Sequence, residues 1–359
     1  MAHHVARVEK RERDAVDAAQ RLDGVAQARA LLARQVDLRD VARDHRLGAE
    51  AEARQEVAEM VATYHDFVAN VLAMPTACGV KSEKEKFAGA VESHSIEGLM
   101  PDGKGLQMGT IHYLGDNFSR MANVNYLDSD GVQKFAQMTS WGVSTRLIGA
   151  LIMVHGDARG LVLPPAVAPV QVVVVPIMTD KDSELVTPMV EKVTQQLRQL
   201  GLRIQVDNRE DIKPGAKFYH HELRGVPLRI EIGPRDAAQN SVVCAWRFSG
   251  EKETLSADVL GTIPHRLDNV QSAMLKKASA DLAAHTISVY SKDEFIKCIN
   301  AQDGFIQASW CGSPACEQAI KEETSATTRN MPYVHDYHGE TCIWCGNPST
   351  KTVLFAKAY

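Results

Sequence analysis

The sequence predicts a multidomain protein built from α+β and α/β units, and three observations carry that expectation. A chain of 359 residues is longer than one small domain, and two or three domains are expected at that size. A valine-rich run, Val172–Pro176, is followed by an amphipathic segment and a second apolar run at 202–206, the order of a βαβ unit with parallel strands. Four of the seven cysteines fall between Cys311 and Cys345, a clustering expected of a small unit organised around a metal.

Composition narrows the class. Hydrophobic residues make up 45% and charged residues 24%, which is ordinary for a globular chain. A mainly disordered chain, a collagen-like repeat and a disulfide miniprotein are excluded. The net charge of −5 excludes a uniformly basic nucleic-acid coat but leaves a local basic surface open. Lys81, Lys84, Lys86, Lys104 and Arg120 are candidates for one, but Glu83 and Glu85 dilute it, and a plain solvated face is an equal reading. Residues 1–7 lack the apolar run of a secretory signal. The one stretch that imitates a membrane span, residues 160–178, carries Pro164, Pro165, Pro169 and Pro176. Those prolines break a helix and remove donors that lipid cannot replace. The stretch therefore reads as an extended linker entering a buried strand, and a cytoplasmic protein without membrane contact is expected.

Taken in order, residues 1–49 are the anomaly. The first fifty residues hold nine arginines, one lysine and no Phe, Tyr or Trp, so they read as an exposed helical extension or a sequence not selected to fold. Residues 50–166 begin with Val57, Met60, Val61, Tyr64, Phe67, Val68, Val71 and Leu72 at helical spacing, and Pro75 closes that helix. Strand-like runs and glycine turns follow, including Asp102-Gly103, and residues 147–154 read as an apolar helix. In residues 167–275, the helix after Val172–Pro176 places Leu185, Met189, Val193, Leu197 and Leu200 on one face. Gly201 caps it, and a further strand is expected at 226–232. Residues 253–300 read as mostly helical. Residues 276–359 include, from 302 on, a short α+β unit around the cysteines.

Cys311-x4-Cys316 and Cys342-x2-Cys345 form two ligand pairs. Four thiolates suit tetrahedral Zn²⁺ and leave no open position, so a structural Zn²⁺ is expected rather than a catalytic one. His335 and His338 lie between the pairs as alternative ligands. The remaining cysteines, Cys78, Cys244 and Cys298, read as small core residues.

Three stretches carry a resemblance. They are residues 79–90 (GVKSEKEKFAGA), 105–119 (GLQMGTIHYLGDNFS) and 139–165 (TSWGVSTRLIGALIMVHGDARGLVLPP). Together they resemble prolyl-tRNA synthetases of the archaeal and eukaryotic type, which are class II aminoacyl-tRNA synthetases. Residues 218–236, with GVPLRIEIGPRD, resemble the family's anticodon-binding domain. The cysteine region and the ending LFAKAY resemble its C-terminal zinc domain. The match runs in order from about residue 50 to Tyr359. It implies a fold of three parts: a partial class II antiparallel sheet in 50–166, an α/β anticodon-binding domain in 167–275 and a small α+β zinc-binding domain in 276–359.

The resemblance also implies roles. Gln107, Thr110, Ser144, Thr145 and Arg146 would bind ATP, with Arg146 as the catalytic cation on the γ-phosphate. His112, Trp141 and Gly142 would form the proline site. The physics agrees at residues 141–146: a helix N-terminus beside a guanidinium is a phosphate site, and glycine lets a ligand approach the backbone. Glu222, Arg229, Glu231 and Arg235 would contact the anticodon, since carboxylates and guanidinium groups can read base edges. An ordinary solvated sheet face is the plain alternative for each, as an ion pair is for Arg146. His220 and His221 are ambiguous.

The implied activity is that of a proline–tRNA ligase, with ATP and Mg²⁺, proline and proline tRNA as substrates and partners. The family's motifs 1 and 2 precede the helix at residue 50, and residues 1–49 do not show them; Arg43 and Arg46 lack a strand–loop–strand setting. Motif 1 forms the family's homodimer and a motif 2 arginine holds the α-phosphate. The expectation is therefore weak activity from this chain alone, and a dimer is in doubt. A non-catalytic tRNA-binding fragment and an incomplete gene product are the rivals.

Overall fold

A computed structural model describes residues 50–349 and 351–359; the expectations for residues 1–49 lie outside these. Helix α1 (Glu50–Asp66) buries Ala53, Val57 and Val61, the four-residue repeat of one helical face. It runs into a π-helical turn, Phe67–Val71. Ala73, with φ at 55°, then reverses the chain ahead of Pro75.

Strands β1 (Ala77–Val80), β2 (Glu92–Leu99) and β3 (Gly105–Gly115) form a meander. The expected turn at Asp102-Gly103 joins β2 to β3, with Gly103 at a φ of 77°. A short helix α2 (Asn117–Ala122) and a hairpin of β4 (Asn125–Leu127) and β5 (Gln133–Phe135) lead to β6 (Met138–Val143). Helix α3 (Arg146–His155) covers the expected apolar segment.

The linker enters β7 (Val172–Pro176), which is buried at every position. Val172 and Val174 face α4 (Ser183–Gln199), while Val173 and Val175 face Phe218 and Val226. Burial on both faces accounts for the unbroken valine run. The buried stripe of α4 is Val186, Met189, Val190, Val193, Thr194 and Leu197. Leu185 and Leu200, expected on that face, are exposed at its two ends.

Strand β8 (Ile204–Val206) is shorter than expected and lies parallel to β7. Helix α5 (Pro214–Leu223) leads to β9 (Leu228–Ile232), also parallel to β7. Helix α6 (Pro234–Ala238), β10 (Ser241–Trp246) and β11 (Lys252–Ser256) complete a five-stranded sheet ordered β11-β10-β9-β7-β8.

Helix α7 (Ile263–Ala284) leads to β12 (Thr286–Ser288), α8 (Lys292–Ala301), β13 (Phe305–Trp310), α9 (Pro314–Thr324), β14 (Ala326–Pro332) and β15 (Lys351–Lys357). These C-terminal strands do not form a sheet of their own. Strand β14 pairs with β1, giving one eight-stranded sheet, β12-β13-β15-β14-β1-β2-β3-β6. Gly79 permits the seam, because a Cβ there would lie 2.2 Å from the carbonyl oxygen of Met331.

Glu97 on β2 is fully buried, and its Oε2 accepts from Nε and Nη2 of Arg329 on β14, at 3.1 and 2.7 Å. Removing one partner of a buried pair leaves an uncompensated charge, which costs about 3–5 kcal/mol. Arg329→Met is therefore expected to lower the urea midpoint strongly, by a loss in that range, and Glu97→Gln in the same chain should recover part of it. Equal midpoints for the parent and Arg329→Met would refute this account of the seam.

Candidate functional site

Directly opposed residues on antiparallel strands project from the same sheet face. Ser93 opposes His112, Ser95 opposes Thr110 and Glu97 opposes Gln107. On the other side of β3, Thr110 opposes Gly142 and His112 opposes Ser140. Gln107, Thr110, His112 and Gly142 therefore share one face.

Strict alternation would separate Gln107 from Thr110. A register shift between Ile96 and Glu97 leaves Met108 unopposed, and that bulge restores Gln107 to the face. Trp141 opposes Ile111 and packs with Ile111 and Tyr113 in the core. It lies behind the face, apart from His112 and Gly142.

The face opens toward α3. Arg146, its first residue, donates its backbone N–H to Ser144 Oγ at 3.3 Å and its guanidinium Nη1 to the carbonyl of Gln107 at 3.0 Å. Thr145 is the N-cap but makes no side-chain cap bond. A Cβ on Gly142 would meet nothing within 4 Å, so a ligand can lie against that backbone. Helix start, arginine and open strand meet at one place, an arrangement able to hold a phosphate chain.

His112 has Ser93 Oγ at 2.8 Å from Nδ1, and the Phe87 ring at 5.2 Å. Phe118 stacks on Phe87. Burial, aided by the Lys81 charge, holds the His112 pKa below its ordinary value. Lys81 Nζ donates to Gln107 Oε1 at 2.8 Å, and burial lowers its pKa too.

These contacts favour the plain solvated face over the candidate basic surface. Lys81 is buried, Lys84 bonds Gln318, and Lys86, Lys104 and Arg120 pair with Glu83, Asp102 and Asp116. Sequence reasoning missed Phe87, Glu97 and Arg329. Phe87 lies in a motif singled out by the sequence, whereas Arg329 is 232 positions from Glu97, beyond any local signal.

The second constellation sits on the α/β unit. Glu222 lies on α5, Arg229 and Glu231 on β9, and Arg235 on α6. Arg229 contacts Glu231 Oε1 at 2.9 Å and lies 4.3 Å over the Phe218 ring. Lys252 reaches the same Glu231 oxygen at 2.9 Å. Arg159, Glu222, Arg229, Trp246, Arg247 and Lys252 line a cavity of about 200 Å³. Glu231 stands behind it as the anchor of Arg229 and Lys252, and exposed Arg235 is not part of its wall. His221 is buried, with Nε2 2.8 Å from Asp207 Oδ2, so it reads as an interior histidine.

The third constellation is the cysteine quartet. The ligand atoms of Cys311, Cys316, Cys342 and Cys345 all lie within 4.8 Å of one another. Cys311 is 3.6 Å from Cys316 and 3.8 Å from Cys345, sulfur to sulfur. Tetrahedral Zn–S bonds of about 2.3 Å put sulfurs about 3.8 Å apart, so the donor set fits one metal ion. His335 and His338 are not in the cluster. Cys244 is buried in the α/β core, while Cys78 and Cys298 are half-buried at core edges. Among the described residues, no helix is long and apolar enough to cross a membrane.

Comparison with known proteins matches two family models. Residues 292–359 match "Prolyl-tRNA synthetase, C-terminal" and residues 171–263 match "Anticodon binding domain". The chain is 47% identical to a proline–tRNA ligase of Lachnospira eligens over 316 residues, covering 88% of this chain and 65% of the relative. It is 45% identical to that of Deinococcus radiodurans, covering 86% and 64%. The chain thus spans about 65% of the length of the first curated relative it matches. A crystal structure of the prolyl-tRNA synthetase from Cryptosporidium parvum, complexed with L-proline and AMP, superposes with a TM-score of 0.82 at 36% identity. That match covers 87% of this chain and 67% of that one.

Burial holds His94, His112, His155 and His221 below the ordinary histidine value of 6.5. The unfolded chain therefore binds more protons than the folded one as pH falls through 6.5. The stability they contribute is fully present above that pH and is lost below it. Asp157 and Asp207 are held low by Arg247 and Arg209 and act in the same direction, but only below their ordinary 3.8. The urea midpoint is thus expected to fall steadily from pH 7.5 to pH 5.0, and a flat profile would contradict the buried histidines.

Proposed function

The chain belongs to the prolyl-tRNA synthetase family, and on that premise we propose that it works as a proline–tRNA ligase. In this reading ATP with Mg²⁺ activates proline to prolyl-adenylate, and the prolyl group passes to proline tRNA. Residues 50–166 supply the ATP and proline face, 167–275 read the anticodon, and 276–359 hold a structural Zn²⁺ on the cysteine quartet. We place the chain in the cytoplasm. We also assign it the archaeal and eukaryotic subtype, supported by the cysteine-bearing C-terminal segment and the likeness to the Cryptosporidium structure; the curated relatives named above are bacterial.

The observation that carries the reading is the register of β3 with β6, which sets Thr110 beside Gly142 and His112 beside Ser140. Arg146 and the start of α3 would hold the triphosphate, a positioning and charge-stabilising role that needs no side-chain base. Bound Mg²⁺ would offset charge on the phosphate oxygens. Gln107 and Thr110 would bind the adenosine end. His112, whose pKa burial lowers, would border a proline pocket with Phe87, its orientation held by Ser93. Trp141 serves from behind, packing β6 against the core. On the α/β unit, Glu222 and Arg229 would meet base edges, with Glu231 fixing Arg229. Arg235 stands apart and would act on the backbone.

One observation favours a second reading, a tRNA-binding chain without catalysis: Glu222 and Arg229, proposed to meet the anticodon, line one cavity within the described residues. Binding of a non-hydrolysable ATP analogue separates the two. The ligase reading expects the analogue to bind and Arg146→Ala to weaken it by about tenfold or more. Proline-dependent ATP–pyrophosphate exchange, run beside it, should be weak for this chain alone. Binding of proline tRNA with no binding of the analogue would establish the second reading instead. Metal analysis of the purified chain should find about one Zn²⁺ per chain, and chelation should lower its melting temperature. Zinc well below one equivalent would remove the metal from the proposal.

A further inference from the structure

The cavity beside Glu222 has one wall that the α/β unit does not supply. Arg159 comes from the turn that follows α3, closed by reciprocal backbone bonds of 3.0 Å between Asp157 and Gly160. This turn is bolted to the α/β unit. Arg247 grips both oxygens of Asp157, at 2.8 and 2.6 Å, and Leu161 donates its N–H to the Leu223 carbonyl at 3.0 Å. Gly160 sits so close to α5 that a Cβ would lie 2.6 Å from the Leu223 oxygen.

Four cations line the cavity, and they are not equivalent. The Arg247 side chain is 3% exposed and committed to Asp157; that of Arg229 is 13% exposed and committed to Glu231. Lys252 and Arg159 keep about half their side chains in solvent, at 52% and 49%. Lys252 is tied to Glu231. Arg159 holds Glu222 Oε1 at 2.9 Å and reaches Asp157 Oδ2 only at 3.3 Å, an oxygen that already accepts from Arg247. An exposed pair of this kind is weak in water, so Glu222 and Arg159 are the partners a ligand can separate.

We propose that Arg159 is a nucleotide-contact residue of this cavity. A base edge with N–H donors takes the Glu222 carboxylate, and the released guanidinium turns to an adjacent phosphate, a planar bidentate match. The catalytic segment thereby contributes directly to RNA binding on the α/β unit. The inference rests on the anticodon-reading role proposed above for that cavity.

The test uses the full chain and a labelled anticodon stem–loop RNA of proline tRNA, followed by fluorescence anisotropy across a salt series. A stem–loop with its loop bases replaced is the control. Arg159→Ala is expected to weaken binding about tenfold and to flatten the plot of log K against log salt by about 0.7, the share of one phosphate on a single strand. Arg159→Lys should restore the slope, which a merely structural role would not require. Should Arg159→Ala fail to fold, Arg159→Gln against Arg159→Lys carries the same comparison. Parental affinity and slope for Arg159→Ala, with Arg229→Ala weakened, would overturn the role of Arg159 and leave that of the cavity. Equal binding of both RNAs by the unmodified chain would bring down the cavity's role and this inference with it.

Discussion

The seam between β14 and β1, closed by the buried Glu97–Arg329 pair, is the constraint on which the rest of this structure depends. Glu97 belongs to the strand beside the candidate nucleotide face, and Arg329 belongs to the cysteine-bearing C-terminal segment. A carboxylate with no solvent exposure demands a cation, because an unpaired charge in that setting is prohibitively costly. Meeting that demand brings β12–β15 into the sheet and gives β1, the strand beside β2, neighbours on both sides. Gln107, opposite Glu97, then receives Lys81, and Arg146 closes on the Gln107 carbonyl. The polar face is thus assembled outward from one ion pair.

A second set of polar contacts fixes the α/β unit against that sheet. Gln271 of α7 accepts from the Ala166 N–H and donates to the carbonyls of Asn70 and Val71. Arg203 donates to the carbonyls of Pro165, Ala166 and Ala168. A proline-rich linker cannot satisfy its own carbonyls with helix or ladder bonds. Arg203 serves those carbonyls here while Gln271 takes the Ala166 N–H, and the linker is held as a strap. With Asp157–Arg247, these contacts place the end of α3 at the cavity beside Glu222, so the candidate nucleotide face and the candidate RNA face lie at opposite ends of one helix.

Much of this was legible in the residues. The valine run of β7, the helix after it, the turn at Gly103 and the helix from residue 146 follow from periodicity and turn chemistry. The cysteine pairs announced their cluster by spacing alone. Thr110, His112 and Gly142 were singled out through long motifs, and alternation on paired strands explains why they share one face. The same alternation excludes Trp141, which the motif includes but the pleat turns inward. Whether the candidate basic residues form a cationic surface was not legible, because sequence reports charge and not the distance to the nearest carboxylate; the structure pairs or buries them.

The sequence by itself determined the local elements, the family and the residue types each site would need. Those properties are set by chemistry within a few residues, by side-chain period, glycine conformation and ligand spacing. Only the tertiary structure decided that Gln107 joins Thr110, since a bulge depends on the partner strand. Only it decided that Arg329 lies under Glu97, and that Arg159 shares a cavity with Glu222, 63 positions away. Such pairings arise where buried charge and unsatisfied backbone groups find partners across the fold, and no window along the chain contains both halves.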